Sequence, residues 1–369
     1  MENFDFDYHF EGEENLDSPS LIYYEDIIEE NIKKAVAMAG SGERLWPHVK
    51  TYKASALVKK LMAHGISRFK CATIAEAEMC AQCRAPDILV SYPLVGPAID
   101  RFILLSCYYA ASKFWAIGDD IEQLSILGSK ATAANVNVPL LADVNSGMDR
   151  TGVSFDNLAD FCTKAGKIPG LSLTGLHCYD GHLRIDDKIE REKAVSRETE
   201  KLLAIRDEIE AGGQKLPVLI LGGSPTFPFH SQCKDAFLSP GTLFVHDYGD
   251  KSHFGDLSFN PGAAILTRVI SRPAENLFTI DLGHKTISVD RPERGTIVDY
   301  AHAEPLRQSE EHWVFRMNEG QAPAIGTILY VIPAHICSTS ALYPGVHVVR
   351  DRTLVNYWEI TARDRRIAI

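Results

Sequence analysis

The sequence has no excess of positive charge, no long apolar run and no dense cysteine framework. Its 369 residues carry 38 Lys and Arg against 49 Asp and Glu, a formal net charge of −11. That balance excludes a broad nucleic-acid footprint. No apolar stretch reaches the roughly 18–20 residues of a membrane helix. The nearest, Phe102 to Ala111, is broken by Ser106. The N-terminus carries Glu2, Asp5, Asp7, Glu11, Glu13, Glu14 and Asp17, the reverse of a signal peptide's basic and then apolar start. The 8 Cys are scattered, as expected of reduced thiols in a cytoplasmic protein. What remains is 45% hydrophobic and 24% charged, the composition of a soluble globular chain long enough for two domains.

From Leu45 to Asp247 the chain repeats one plan: a short apolar run, a turn, then a helix-patterned stretch. Strands are expected at about 45–50, 68–72, 87–92, 113–117, 139–144, 171–177, 217–221 and 241–246. Thr73-Ile74-Ala75-Glu76 reads as a capping box at a helix start. The charged stretch from Asp187 to Glu210 reads as a long helix ended by Gly212-Gly213. Strands alternating with helices predict parallel βαβ units, and eight of them close a (β/α)8 barrel. A doubly wound open sheet is the alternative. After about Asp256 the helix patterns give way to short strand-like runs: 263–270, 277–282, 286–289, 312–317, 327–331, 346–350 and 354–360. The expected architecture is α/β, with an N-terminal barrel over 18–255, an all-β domain over 256–369 and an acidic arm over 1–17.

A barrel places its chemistry at the C-terminal ends of its strands. The first expected strand runs into Pro47-His48-Val49-Lys50-Thr51. A lysine there can be partly desolvated, which makes its amine a usable nucleophile, although a lone lysine is more often a surface residue. The fifth leads into Asp143 to Val153, where Arg150 offers a planar donor fork. The sixth ends in His177-Cys178-Tyr179-Asp180-Gly181-His182, dense in titratable side chains. The seventh ends in Gly222-Gly223-Ser224-Pro225-Thr226, whose unobstructed amides and hydroxyls suit a phosphate. In the second domain, His335-Ile336-Cys337 read as strand would project imidazole and thiol to one face, able to share a Zn²⁺ in an open site. A buried Cys beside a surface His is the plainer reading of that pair. Cys80-Ala81-Gln82-Cys83 lies in a helix pattern without a second pair, so no metal or redox role is expected of it. His246 and Asp247 either touch a ligand or cap the barrel rim.

Taken in order, these segments resemble the D-threonine aldolase and D-serine dehydratase group of pyridoxal-phosphate enzymes, relatives of alanine racemase. The matching pieces are Pro47 to Thr51, Asp143 to Val153, Gly175 to His182, Gly222-Gly223-Ser224, Pro240-Gly241-Thr242 and His335-Ile336-Cys337. The resemblance implies a cofactor-bearing barrel, a C-terminal β domain and a homodimer. It implies that Lys50 carries pyridoxal 5'-phosphate covalently, that Arg150 contacts its phenolate side and Tyr179 its ring. Gly222, Gly223, Ser224 and Thr242 would hold the phosphate, and His335 and Cys337 a divalent metal, Zn²⁺ rather than Mn²⁺. The dehydratases share His-x-Cys, whereas the best-known aldolases carry Asp at the position of Cys337. The tail from Ser338 to Pro344 is similar to the aldolase-like branch.

The expected activity is therefore lysis of a D-3-hydroxy amino acid, by retro-aldol cleavage to glycine and an aldehyde. His177 or His182 would act as base near the substrate hydroxyl. Dehydration with loss of ammonia is the alternative. Racemisation and a non-catalytic pyridoxal-phosphate carrier are further ones. No nucleic-acid or membrane partner is expected.

Overall fold

The computed structural model describes residues 6–369, so Glu2 and Asp5 lie outside the described residues. By contacts the chain divides into two units. One comprises Ala35–Lys50, Leu57–Gly241 and Asp364–Ile369; the other comprises the N-terminal residues up to Lys34, Thr51–Ala56 and Thr242–Arg363. The first strand, β1 (Ser20–Tyr24), belongs to the second unit. It falls within the span 18–255 read as barrel from the sequence.

The first unit holds β2 (Arg68–Cys71), β3 (Asp87–Val90), β4 (Lys113–Gly118), β5 (Val138–Asn145), the short β6 (Val153–Ser154), β7 (Leu171–Cys178), β8 (Val218–Leu221) and β9 (Phe237–Leu238). They pair in parallel in the order β2-β3-β4-β5-β7-β8-β9, with β6 added beside β5. The segment 45–48 closes the ring. Trp46 N donates to Leu238 O at 2.7 Å, His48 N to Pro240 O at 2.9 Å, and Lys70 N to Pro47 O at 2.8 Å. A sheet bonded to itself at both edges is a barrel, which rules out the open doubly wound alternative.

Local sequence explains the strands. In β5 the run Val138 to Val144 is buried without alternation, the signature of a parallel strand covered on both faces. Trp46, Leu89, Trp115, Ile117, Leu141 and Ile220 form one cluster of the barrel core. The indoles of Trp46 and Trp115 meet edge to face at 5.3 Å. Two expected strands differ. Pro47 lacks an N–H, so the first stave makes isolated bridges only, at Leu45 and His48. The strand expected at 241–246 is instead a 3₁₀ turn, Thr242–Phe244, and the last stave is β9. Pro240 interrupts the ladder between them.

Helix starts follow their caps. Glu76 N donates to Thr73 Oγ1 at 3.1 Å, while the Glu76 carboxylate takes the N–H of Ala72 at 2.6 Å. The capping box therefore forms one residue displaced on its return arm. The long charged helix spans Lys188–Ala211, with Asp187 as its cap.

The second unit is a mostly antiparallel sheet. It adds β10 (Ala263–Ala274), β11 (Leu277–Ile280), β12 (Gly295–Ile297), β13 (Glu304–Gln308), β14 (Trp313–Arg316), β15 (Ile328–Pro333), β16 (Gly345–Arg350) and β17 (Thr353–Glu359). The order is β13-β14-β11-β10-β1-β16-β17, with β15 pairing β10 and β12. Residues 21–24 of β1 are buried, and the strand lies between antiparallel β10 and parallel β16. The stretch 286–289 forms no strand. The acidic arm packs on this sheet. Tyr8 and Phe10 join Tyr24, Leu266 and Tyr330 in its core, and Glu13 accepts a 2.6 Å bond from Tyr330 Oη. Among the described residues, no helix is long and apolar enough to cross a membrane.

Candidate active site

The barrel unit gathers its chemistry around Tyr179, which follows β7. Three cations approach the Tyr179 ring: Lys50 Nζ lies 5.8 Å from its centroid, Lys70 Nζ 5.5 Å and Arg150 Cζ 5.1 Å. Lys50 sits in a 3₁₀ turn, Val49–Thr51, where its N–H donates to His48 Nδ1 at 3.3 Å. Arg150 is exposed and Tyr179 half-buried, while Lys70, in β2, is buried.

Beneath them lies a buried chain of hydrogen bonds. His177 Nδ1 donates to Asp143 Oδ1 at 2.7 Å, and His177 Nε2 lies 3.4 Å from Lys70 Nζ. Burial and the neighbouring Lys70 charge outweigh Asp143 and hold His177 below its ordinary pKa. Burial, followed by the charge of Lys50, pushes Lys70 down to about 7. Asp143 is 3% exposed and His177 5% exposed, so both partners are nearly dry.

The glycine turn after β8 packs against the same tyrosine. Gly222 has φ +72°, and a Cβ on Gly223 would lie 2.9 Å from Tyr179 Cε2. Neither position tolerates a larger residue without movement. Ser224 Oγ accepts from Gly241 N at 3.2 Å, and Gly223 N donates to Thr226 Oγ1 at 3.2 Å. A second dry pair supports the turn: Asp180 accepts from Thr226 Oγ1 at 2.9 Å and bonds His230 Nε2 at 2.7 Å. His182 turns to the long helix Lys188–Ala211. Its Nε2 bonds Glu198 at 3.1 Å, and its buried Nδ1 has no partner among the described residues.

His335 and Cys337 occupy the second unit and are not on a strand. After β15 ends at Pro333, His335 takes the N-cap position of a short helix, Ile336–Ser340. The two side chains nevertheless meet, the imidazole bonding to the Cys337 sulfur. His335 Nδ1 lies 2.6 Å from Asp290 Oδ2, and Ser338 and Ser288 hydroxyls hold the same carboxylate. The Cys337 sulfur lies 3.1 Å from Thr51 Oγ1 and 3.5 Å from Thr242 Oγ1. Burial opposes charge on His335, but its bond to Cys337 and the sulfur's charge prevail and raise it to about 9. Among the described residues no set of three or more His, Cys, Asp and Glu side chains could hold a metal ion. His335 and Cys337 are thus a two-donor set, which leaves positions open to other ligands. His246 and Asp247 are fully buried, and Asp247 caps the helix Tyr248–His253.

Lys70 and Asp290 were not singled out from the sequence. Lys70 had a readable signal: a charged side chain inside the apolar run Phe69-Lys70-Cys71-Ala72, at the end of a barrel strand.

The arrangement suits a phosphorylated aromatic cofactor. Tightly packed glycines and a buried serine offer a phosphate cradle, an aromatic ring offers a stacking face, and three cations surround it, none ion-paired with a carboxylate among the described residues. The alanine racemase N-terminal domain family matches residues 25–248, more than half of the chain. The chain belongs to the alanine racemase-like, fold-type III pyridoxal-phosphate enzymes. A domain described as "Putative serine dehydratase domain" matches residues 262–349. The chain is 28% identical to a D-threonine aldolase of Arthrobacter sp over 359 residues, covering 94% of this chain and 93% of that one. It is 22% identical to a D-threo-3-hydroxyaspartate dehydratase of Delftia sp. (strain HT23), covering 93% and 97%. The crystal structure of a D-threonine aldolase from Filomicrobium marinum superposes with a TM-score of 0.88 at 25% identity, covering 95% and 96%. Solved forms of the D-threo-3-hydroxyaspartate dehydratase include a histidine-to-alanine and a cysteine-to-alanine variant two positions apart, the latter described as metal-free. The cysteine variant superposes with a TM-score of 0.82 at 20% identity, covering 94% and 98%.

Proposed function

We propose that this protein is a pyridoxal-phosphate- and metal-dependent lyase that cleaves D-3-hydroxy amino acids to glycine and an aldehyde. The observation that carries the reading is the convergence of Lys50, Arg150 and the glycine turn on one tyrosine ring, in a chain similar to a D-threonine aldolase along nearly its whole length.

Bound pyridoxal phosphate supplies an electron sink for the bond broken at Cα. Lys50 is the residue that would hold the cofactor covalently, and Gly222, Gly223, Ser224 and Thr242 would hold its phosphate. Tyr179 would support its ring, and Arg150 would bind its phenolate side. His335 and Cys337 would hold the metal, whose contribution is to polarise the substrate's 3-hydroxyl. The thiol and imidazole pair favours Zn²⁺ over Mn²⁺. Of the two histidines considered as base at that hydroxyl, His177 has both ring nitrogens engaged, which suits a positioning role. His182 has Nε2 engaged by Glu198 and a buried Nδ1 without a partner among the described residues, and it is the second candidate for proton transfer. We further read the protein as a cytoplasmic homodimer.

Product analysis with D-threonine tests the reaction. Glycine and acetaldehyde support the aldolase reading. Ammonia and 2-oxobutyrate as sole products would replace it with the dehydratase alternative, which the His-x-Cys pair also fits.

A further inference from the structure

Lys70 presents a problem of charge. It is 2% exposed, and among the described residues no carboxylate forms an ion pair with it, with Lys50 or with Arg150. Burying an ammonium without a partner is costly, and three cations around one ring repel each other. Burial and Lys50 have already pushed Lys70 down to about 7. A π-face offsets part of this cost but does not neutralise charge.

The neighbouring bonds show how Lys70 is aimed. Asp143 takes the Nδ1–H of His177, which leaves Nε2 as an acceptor facing Lys70 Nζ at 3.4 Å. Neutral His177 therefore receives one N–H of the ammonium. Tyr179 lies on another side at 5.5 Å, so donors remain for a group in the same space.

We propose that Lys70 is an anion-binding residue of this site, held by the Asp143–His177 pair and directed at an oxyanion lying over Tyr179. The inference rests on the pyridoxal-phosphate reading above. The oxyanion is the ring oxygen of the cofactor or the carboxylate of the amino acid; both present the same acceptor to an ammonium. Lys70 thereby orients the reactants without carrying the covalent bond.

The test is equilibrium binding with K70M and K70R. Pyridoxal phosphate is titrated into apoprotein by tryptophan fluorescence, beside an analogue methylated on the ring oxygen. D-threonine and its alcohol, D-threoninol, are then titrated by absorbance into the loaded protein with chelator present, so that D-threonine is bound without being cleaved. If the ring oxygen is the partner, K70M weakens pyridoxal phosphate about 10- to 100-fold and leaves the methylated analogue unchanged. If the carboxylate is the partner, K70M weakens D-threonine by a similar factor and leaves D-threoninol unchanged. K70R restores most of the affinity in either case, which a purely structural role would not give. Affinities within twofold of wild type in K70M overturn the Lys70 proposal alone. A wild-type protein that binds no pyridoxal phosphate overturns the cofactor reading on which it stands. Far-UV circular dichroism checks that K70M is folded. If K70M does not fold, K70Q replaces it in the same titrations: selective loss for an oxyanion ligand supports the proposal, and affinities within twofold of wild type overturn it.

Discussion

The two units of this protein position reactive side chains by different means. In the barrel unit every group of interest follows a parallel strand or lies at its end: Lys50 after the first stave, Lys70 in β2, Arg150 after β5, Tyr179 after β7 and Gly222 after β8. Strand parallelism alone brings them to one face. In the β unit, His335 caps a short helix and Cys337 lies in its first turn, and their surroundings come from remote parts of the chain. Asp290 is 45 residues from His335, and Thr51 is 286 residues from Cys337. A repeated architecture thus assembles a site by rule, whereas the β unit assembles one by particular long-range contacts. The barrel also uses histidine as a polar link between Asp143 and Lys70, while the β unit buries His246 with neither ring nitrogen partnered among the described residues.

The largest expected effect falls on the barrel. Lys50→Ala should abolish turnover and the visible cofactor band, and borohydride reduction of the wild type should label Lys50. Labelling of Lys70 instead would exchange the two lysines' roles. The β unit's counterpart is Cys337→Ser or His335→Ala, which should abolish lyase activity while leaving the cofactor band in place. Full activity with no bound metal, measured by elemental analysis, would remove the β unit from the chemistry.

A smaller effect is expected from the carboxylates behind each site. Asp290→Asn removes the anion that fixes the His335 ring, and metal affinity should fall about 10- to 100-fold in chelator competition. Asp143→Asn should leave metal affinity unchanged. It should destabilise the barrel unit by about 1–3 kcal/mol, read from denaturant unfolding, because it weakens a buried charged hydrogen bond.

The histidines sharpen the comparison through pH. Burial holds His246 down at about 4. Between its unfolded value near 6.5 and that folded value the unfolded chain binds more protons, so stability is present above pH 6.5 and falls as pH drops toward 4, by at most roughly 1.4 kcal/mol per pH unit. His246→Asn, chosen because φ is +57° there, should flatten this acid limb of thermal stability. An unchanged limb would mean that other groups set it. The smallest effect is expected at a helix end: Thr73→Ala should cost about 1 kcal/mol of stability by removing the bond to Glu76 N, with no change in catalysis.

Much of the barrel was legible because its signals are local. Buried parallel strands show as unbroken apolar runs, caps and glycines punctuate the helices, and chemistry gathers where the runs end. Those features marked the segments that hold Lys50, Arg150, Tyr179 and Gly222, and the family resemblance implied their roles. The signals failed where a local pattern had two physical outcomes. The run after Pro240 reads as a strand, but proline removes a ladder donor and the chain turns into a 3₁₀ segment. His335-Ile336-Cys337 reads as strand by its neighbours, yet the chain enters a helix, with Ile336 N bonded to Asp247 Oδ2 at 3.0 Å.

By itself, then, the sequence determined the alternation that makes a barrel and the residue types available for chemistry, because periodicity and turn chemistry act over a few neighbours; the family entered as a resemblance carried by motifs in order along the chain. Only the tertiary structure decided that β1 completes the β sheet and that His177 spans Asp143 and Lys70. It alone also set Asp290 behind His335. Each of these depends on which buried polar group or strand edge meets which partner across tens or hundreds of residues, and no local pattern encodes that choice.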